Sequence, residues 1–427
     1  MAGFVVLILV VVGGVHLYLW KRLVRDTLRP GWGRRIGAVV AVVLALLVPL
    51  TVGATRAGHL WWLAWPGYVW LGLMFYLLVT LVPLEVPRLA LVLLWVRRTR
   101  TSKAETTPGA GGAISGEARD AGPEVAPGAE GAHETPSADD TSGGPAKGRG
   151  HDDERISRRL VVARGMAIVG GLTAAGITAY GMRTALGAPQ LQRVQMPIAK
   201  LPRSMDGTRL AIVSDIHLGP LAGTHHVGRI VELINSVTAD IVCVVGDLVD
   251  GSVAELGRFA QPLAGIESRH GAYFVTGNHE YYSGFRPWID EVARLGVRPL
   301  RNERVEIGGL DLAGVNDLGG AQYGDGPDFA KALGDRDPGR PVVLMAHQPV
   351  VARDAAPFGV DLQVSGHTHG GQMAPFNLLV KLQQPVVSGF GRVDGVPVFV
   401  TNGAGFWGPP LRVGAPPQVT VMDLRAS

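Results

Sequence analysis

Hydrophobic positions are spread unevenly along this chain. Long apolar runs occupy residues 2–20, about 36–54 and about 61–82, and a fourth lies at 165–182. Each is long enough to cross the roughly 30 Å hydrocarbon core of a bilayer as a helix. From residue 209 the pattern changes. Short apolar runs, LAIV (210–213), IVCVV (241–245), YFV (273–275), VVLM (342–345) and LQV (362–364), each give way to polar residues. Such runs read as buried strands, and helical spacing at 226–237 and 285–295 separates some of them, so this half is expected to be α/β.

Between the third and fourth runs the pattern fades. From Arg100 to Ile156 the larger aliphatic residues are Ile114 and Val125, without an aromatic. So little apolar surface cannot offset chain entropy, which predicts a disordered linker. The expected organisation is a transmembrane region at 1–98, the linker at 99–157, a membrane segment at 158–183, a connector at 184–203 and a globular domain at 204–427. Residues 84–96 follow Pro83, are too short for a comfortable span and hold Glu85 and Arg88 on either side of Pro87. They are expected to be an interfacial helix, a further span being the alternative. Trp61, Trp62 and Trp65 read as an interfacial belt, His16 and His59 as structural.

Charge orients the spans. Lys21, Arg22, Arg25, Arg29, Arg34 and Arg35 follow the first run, whereas the loop between the second and third has only Arg56. Arg97, Arg98, Arg100 and Lys103 follow the third. Basic loops stay cytoplasmic, so residues beyond 183 are expected on the outer face of the plasma membrane. Ser157-Arg158-Arg159 resembles a twin-arginine export signal, and it equally suits an ordinary span with basic flanks. Either reading keeps these arginines inside.

Composition adds three points. Mean hydropathy is +0.22 with 47% hydrophobic residues over 427 positions, high for a wholly soluble protein. The net charge of +4 divides into +10 before Ser204 and −6 from there on (17 basic, 23 acidic). The basic balance thus belongs to the membrane half and does not argue for nucleic acid. The single cysteine, Cys243, precludes an internal disulfide and reads as an inert core thiol.

Candidate chemistry collects where the short apolar runs end: SDIHLG (214–219), GDLVDG (246–251), GNHE (277–280), AHQP (346–349) and GHTHGGQ (366–372). Strand ends are where open α/β sheets build sites. These motifs supply Asp215, His217, Asp247, Asn278, His347, His367 and His369. Two carboxylates, four imidazoles and an amide exceed what one tetrahedral ion takes and suit two ions sharing a bridge. Nitrogen and oxygen donors without thiolate favour Mn, Fe or Zn. Alternation along an extended chain would put both side chains of Asp-x-His, and of His-x-His, on one side. Glycines would clear space around them. His225, His226 and His270 read as surface or supporting residues.

The ordered set D-x-H, G-D-x-x-D, G-N-H-E, H and G-H-T-H resembles the calcineurin-like metallophosphoesterases over about residues 205–424. The resemblance implies a four-layer α/β fold, a β-sandwich flanked by helices, here preceded by N-terminal transmembrane helices. It implies one divalent metal on Asp215, His217, Asp247 and His369, and a second on Asp247, Asn278, His347 and His367. It also implies His279 as the catalytic proton donor. The C-terminal FVTNGAGFWGPPLRVGAPPQVTVMDL is similar to the membrane-linked bacterial branch, with Gln418 where Glu often stands. Phe406, Trp407 and Arg412 are expected at a substrate rim or packing the sandwich edge. A membrane-anchored phosphodiester or phosphomonoester hydrolase acting on a lipid or envelope phosphoester follows. The alternatives are a phosphatase or pyrophosphatase of soluble nucleotides, and a membrane receptor whose domain only senses metal or phosphate.

Overall fold

A computed structural model describes residues 2–104 and 149–427; most of the expected linker lies outside these residues. The first part is built from α1 (Ala2–Trp20), α2 (Trp32–Arg56), α3 (Ala64–Ala104) and α4 (Arg149–Leu186). Stretches long and apolar enough to cross a membrane occur at Val6–Arg25, Trp32–Arg56, Trp61–Leu91 and Leu160–Leu186. Leu7, Val10, Leu46 and Leu172 point outward and exposed, an arrangement that lipid satisfies and water does not.

Residues 84–96 are helical as expected, but as a continuation of α3, which runs through Pro83 and Pro87 without a break. Partners from the turn after α1 compensate the charges there. Arg22 Nε lies 2.6 Å from Glu85 Oε1, Arg88 Nη1 2.9 Å from Glu85 Oε2, and Arg22 Nη1 2.7 Å from Asp26 Oδ2. Thr80 also donates to the Gly170 carbonyl of α4 at 3.1 Å, so α3 is braced where its prolines weaken it.

The globular part holds twelve strands: β1 (Gln190–Ile198), β2 (Arg209–Val213), β3 (Ile241–Val245), β4 (Ala272–Val275), β5 (Val297–Pro299), β6 (Glu303–Ile307), β7 (Leu310–Gly314), β8 (Val342–Met345), β9 (Leu362–Ser365), β10 (Gly389–Val393), β11 (Val396–Val400) and β12 (Gln418–Ala426). They form two six-stranded sheets, ordered β1-β12-β2-β3-β4-β5 and β10-β11-β9-β8-β7-β6. All five strands expected from the apolar runs are present. Strand β1 is an addition, since it lies in the expected connector and pairs in parallel with β12 from Gln190↔Gln418 to Ile198↔Ala426. Its alternating QLQRVQM pattern suits an edge strand with one buried face.

Strand alternation builds the layers. Leu210 and Ile212 of β2 meet Val343, Met345 and Val364 of the opposite sheet, while Ala211 and Val213 face helices. Burial on both faces explains why these strands are apolar throughout. Helix α5 (Thr224–Ser236) presents Val227, Ile230, Val231 and Ile234 at helical spacing to the first sheet. Beside it pack α6 (Val253–Ala260) and, beyond α7 (Asn278–Tyr282), α8 (Phe285–Arg294) with Trp288 fully buried. On the second sheet lie α9 (Phe329–Leu333) and α10 (Ala352–Ala355). The short α11 (Asn377–Val380) follows the two-histidine motif, with Asn377 packed on Gly371 and Leu378 and Leu379 exposed.

The domain rests on the end of the helix bundle that carries the α2–α3 loop. Leu411 is buried among Met74, Leu77 and Ala174 of α3 and α4. Trp61, expected in an interfacial belt, packs instead on Phe259 of α6, with ring centroids 6.4 Å apart. Trp62 and Trp65 remain exposed.

Candidate metal centre

Five chain segments leave the C-terminal ends of β2, β3, β4, β8 and β9 and converge. Asp215, His217, Asp247, His367 and His369 all have positive φ, between 49° and 71°. The expectation of an extended Asp-x-His and His-x-His is therefore corrected. Strand β2 ends at Val213 and β9 at Ser365, and left-handed turns, not strand alternation, aim the side chains. For non-glycine residues this conformation costs roughly 1–3 kcal/mol each and is tolerated where surrounding structure enforces it.

Two of the three donor groups among the described residues use the expected ligands: Asp215, His217 and His369, then Asp247, His347 and His367; the third, His217, Asp250 and His279, overlaps the first. In the first, His217 Nε2 lies 3.0 Å from His369 Nε2, which is 3.3 Å from Asp215 Oδ1. In the second, His347 Nε2 lies 3.1 Å from Asp247 Oδ2 and 3.3 Å from His367 Nδ1. Asp247 Oδ2 is also 3.9 Å from His217 Nε2, so this carboxylate faces both groups. His367 and His369 fall one in each group.

Asn278 starts α7 beside them. Its Oδ1 is buried without a hydrogen-bond partner, and an orphaned oxygen costs about 1–3 kcal/mol unless something receives it. A cation would. Two carboxylates, four imidazoles with inward-facing nitrogens and a stranded amide oxygen fit a pair of divalent ions better than any internal pairing.

Supporting contacts fix the imidazoles. Asp250 Oδ1 stands 2.9 Å from His217 Nδ1 and 2.6 Å from His279 Nδ1. His347 Nδ1 donates to the Val245 carbonyl at 2.8 Å, leaving Nε2 free to face inward. Burial, with His347 next, holds His367 down to about 3. Burial and the Arg412 guanidinium hold His369 well below the imidazole range, so both stay neutral and able to ligate. His279 and His347 go the other way. Burial opposes charge on both, but Asp247 and Asp250 outweigh it at His279 and lift it to about 9, and Asp247 with Asp215 holds His347 well above the imidazole range.

Arg412 is corrected from rim to scaffold. It is fully buried. Its Nη1 donates to the carbonyls of His369 and Asn402 at 2.8 Å each, its Nε to Gly405 at 2.9 Å, and Nη2 lies 3.1 Å from His369 Nδ1. Phe406 is likewise buried, against Ala185 and Ala222. Of the three, only Trp407 lies at the opening, 51% exposed with its ring centroid 5.9 Å from that of His279. Gly370 and Gly371 do not clear space around the histidines. They let the turn close on Asn402 and Asn377, where any Cβ would collide. Glycines that do make room for ligands include Gly277 and Gly366, whose Cβ atoms would overlap Asp247 Oδ1 and Asp215 Oδ2. Among the other histidines, His225 and His270 are exposed and His226 is buried beside Phe406.

Sequence reasoning gave no role to Asp250 or Glu280, although both lie inside quoted motifs. Glu280 accepts the backbone N–H groups of Asp247, Leu248 and Gly277 at 3.0, 2.7 and 2.6 Å, tying two ligand-bearing turns together. Burial, followed by the nearby Asp247, raises it to about 7. Arg412 had no local signal, since its partners come from three separate turns.

Comparison with known proteins agrees with this geometry. A family model described as calcineurin-like phosphoesterase matches residues 208–371. A "transmembrane protein with metallophosphoesterase domain" of Danio rerio is 36% identical over 263 residues, 58% of this chain and 60% of that protein. An uncharacterized metallophosphoesterase of Helicobacter pylori (strain J99) is 38% identical over 247 residues, 57% of this chain and 66% of its own. One of Aquifex aeolicus is 33% identical over 246 residues, 55% of this chain and 92% of its own. The chain therefore spans less than two thirds of the first two relatives and nearly all of the third.

Proposed function

The chain belongs to the calcineurin-like metallophosphoesterases, and from that premise we propose that it is a membrane-anchored hydrolase of phosphodiesters or phosphomonoesters using two divalent ions. The observation that carries this reading is the filled donor set: two groups joined by Asp247, with the oxygen of Asn278 stranded beside them. A retired site would have lost some of these positions. Asp215, His217, Asp247 and His369 would hold one ion; Asp247, Asn278, His347 and His367 the other, with Mn, Fe or Zn suited to the donors.

When bound, such a pair supplies the charge that acidifies a water and offsets the phosphoryl oxygens. The chain's own residues do the remainder. Asp250 accepts from His279 Nδ1, which leaves the Nε2 proton of the charged imidazole, 4.0 Å from Asp247 Oδ2, on the inward side. From there it can pass to the departing oxygen. Trp407 and Tyr282, both exposed, flank His279 and shape the opening.

Orientation supports an extracytoplasmic site. The domain sits at the bundle end bearing Arg56, opposite the turn that carries Lys21, Arg22 and Arg25, and basic turns stay inside. The test is the full chain in detergent, stripped and reloaded with each metal, against a soluble aryl monoester, an aryl diester and a lipid phosphate. Turnover that appears only with metal is expected; none under any metal refutes the reading. A reporter fused after Ser427 that works only outside the cytoplasm checks the orientation.

A further inference from the structure

The segment after the two-histidine turn leaves the domain as an apolar hook. Phe376, Leu378, Leu379 and Leu382 are 43, 61, 57 and 83% exposed. Eight large apolar or aromatic side chains of residues 190–427 are at least this exposed, and four of them fall within these seven positions. Lys381 is the one charge among them. A cluster of this kind in water marks an interaction surface.

What it meets follows from its base. Met373 and Val413 pack against the α3–α4 cluster around Leu411, and the Ala374 N–H donates to the Val413 carbonyl at 2.9 Å. The hook thus starts where the domain seats on helices long and apolar enough to span a membrane. Apolar side chains with a lysine able to snorkel are the composition of an interfacial insertion.

The same base is also the wall of the metal centre. Gly371 is closed against Asn377 of α11. Gln372 donates to the Trp407 carbonyl and accepts the Trp407 N–H, both at 2.9 Å. The next residue, Gly408, lies against the ring of Tyr68 in α3, 3.7 Å from where its Cβ would stand. The opening beside His279 is therefore framed by the hook's anchor and by the first turns of a membrane helix.

Resting on the phosphoesterase reading, we propose that residues 376–382 insert into the adjoining leaflet and open the metal centre sideways to lipid phosphoesters, whose apolar tails stay in the bilayer during hydrolysis. The full chain, metal-loaded in phosphatidylcholine vesicles, tests this. Cys243 is buried, so an introduced cysteine takes an environment-sensitive fluorophore selectively. A label at Leu379→Cys should show blue-shifted emission quenched by lipids spin-labelled near the headgroup. One at Asp335→Cys, which precedes β8 at the end of the sheet remote from His347, should report water. A water-like signal at 379 overturns insertion. The double variant Leu379→Glu/Leu382→Glu should lose about tenfold or more turnover of a vesicle-borne lipid phosphate while keeping turnover of a soluble aryl phosphate. Equal losses on both, or a wild-type chain that cleaves only the soluble ester, overturn the lipid route and leave the phosphoesterase intact. No cleavage of either ester refutes the phosphoesterase reading itself, and the fluorescence result then still decides insertion.

Discussion

Asp250→Asn is the most discriminating substitution because it keeps shape and removes charge. The carboxylate takes two short bonds, 2.9 Å from His217 and 2.6 Å from His279. A hydrogen bond to a charged group contributes about 1.5–3 kcal/mol and a neutral one about 0.5–1.5, so each bond should lose roughly 1–1.5 kcal/mol. On the His217 side that is about 5- to 12-fold in metal affinity at 1.36 kcal/mol per tenfold, at the lower end of what outer partners of metal ligands contribute. On the His279 side the same loss lowers its pKa by about one unit. The sign is fixed. Asp247 and Asp250 raise His279, so the proton is present below its elevated pKa and lost as pH rises through it. Without Asp250 the alkaline fall in kcat should move to lower pH. Competition with a chromophoric chelator reads the first effect and a pH–rate profile the second. Unchanged metal affinity together with an unchanged alkaline limb would refute the positioning role.

Other expectations test separate parts. Asp247→Asn should release more metal than Asn278→Ala by elemental analysis, since one carboxylate faces both groups; His279→Ala should keep its metal and lose about 10²–10⁴-fold in kcat. Arg412→Met leaves several buried carbonyls without donors and should cost roughly 3–5 kcal/mol, seen as a lowered Tm, without a selective rise in KM. Gly277→Ala should displace the Asp247 carboxylate and lower metal content at near-normal secondary structure by circular dichroism. Burial pushes the Cys243 thiol up to about 12, so it should resist thiol reagents at pH 8 until the chain is unfolded.

The ligands were legible because each motif follows an apolar run that ends abruptly. Asp215, Asp247 and His367 need only their own strand to be recognised as strand-end residues. The side-chain directions within Asp-x-His and His-x-His were read as strand alternation, because backbone φ is set by the packed turns, and nothing in D-x-H or H-T-H declares it. Arg412 stayed open between a rim and packing for a related reason: its place is decided by carbonyls of His369, Asn402 and Gly405 brought together only in the fold. Trp61 shows the same limit, since its partner Phe259 lies in another layer. Residues 84–96 read as too short and too charged for a separate span, and nothing in the sequence declares that Glu85 pairs with Arg22 and Arg88 along a continuous α3.

The pairing of β1 with β12 also governs how the protein can be made. β12 lies between β1 and β2, with Thr420 opposite both Gln192 and Ile212. The first sheet therefore has a vacant central place until the last strand in chain order is synthesised. Contacts this distant in sequence form slowly, and a nascent domain lacking β12 offers two open strand edges. While ribosomes are still adding those residues, the segment beyond α4 cannot lock into its final form. The sheet, with its ligand-bearing turns, can close only once β12 has been added.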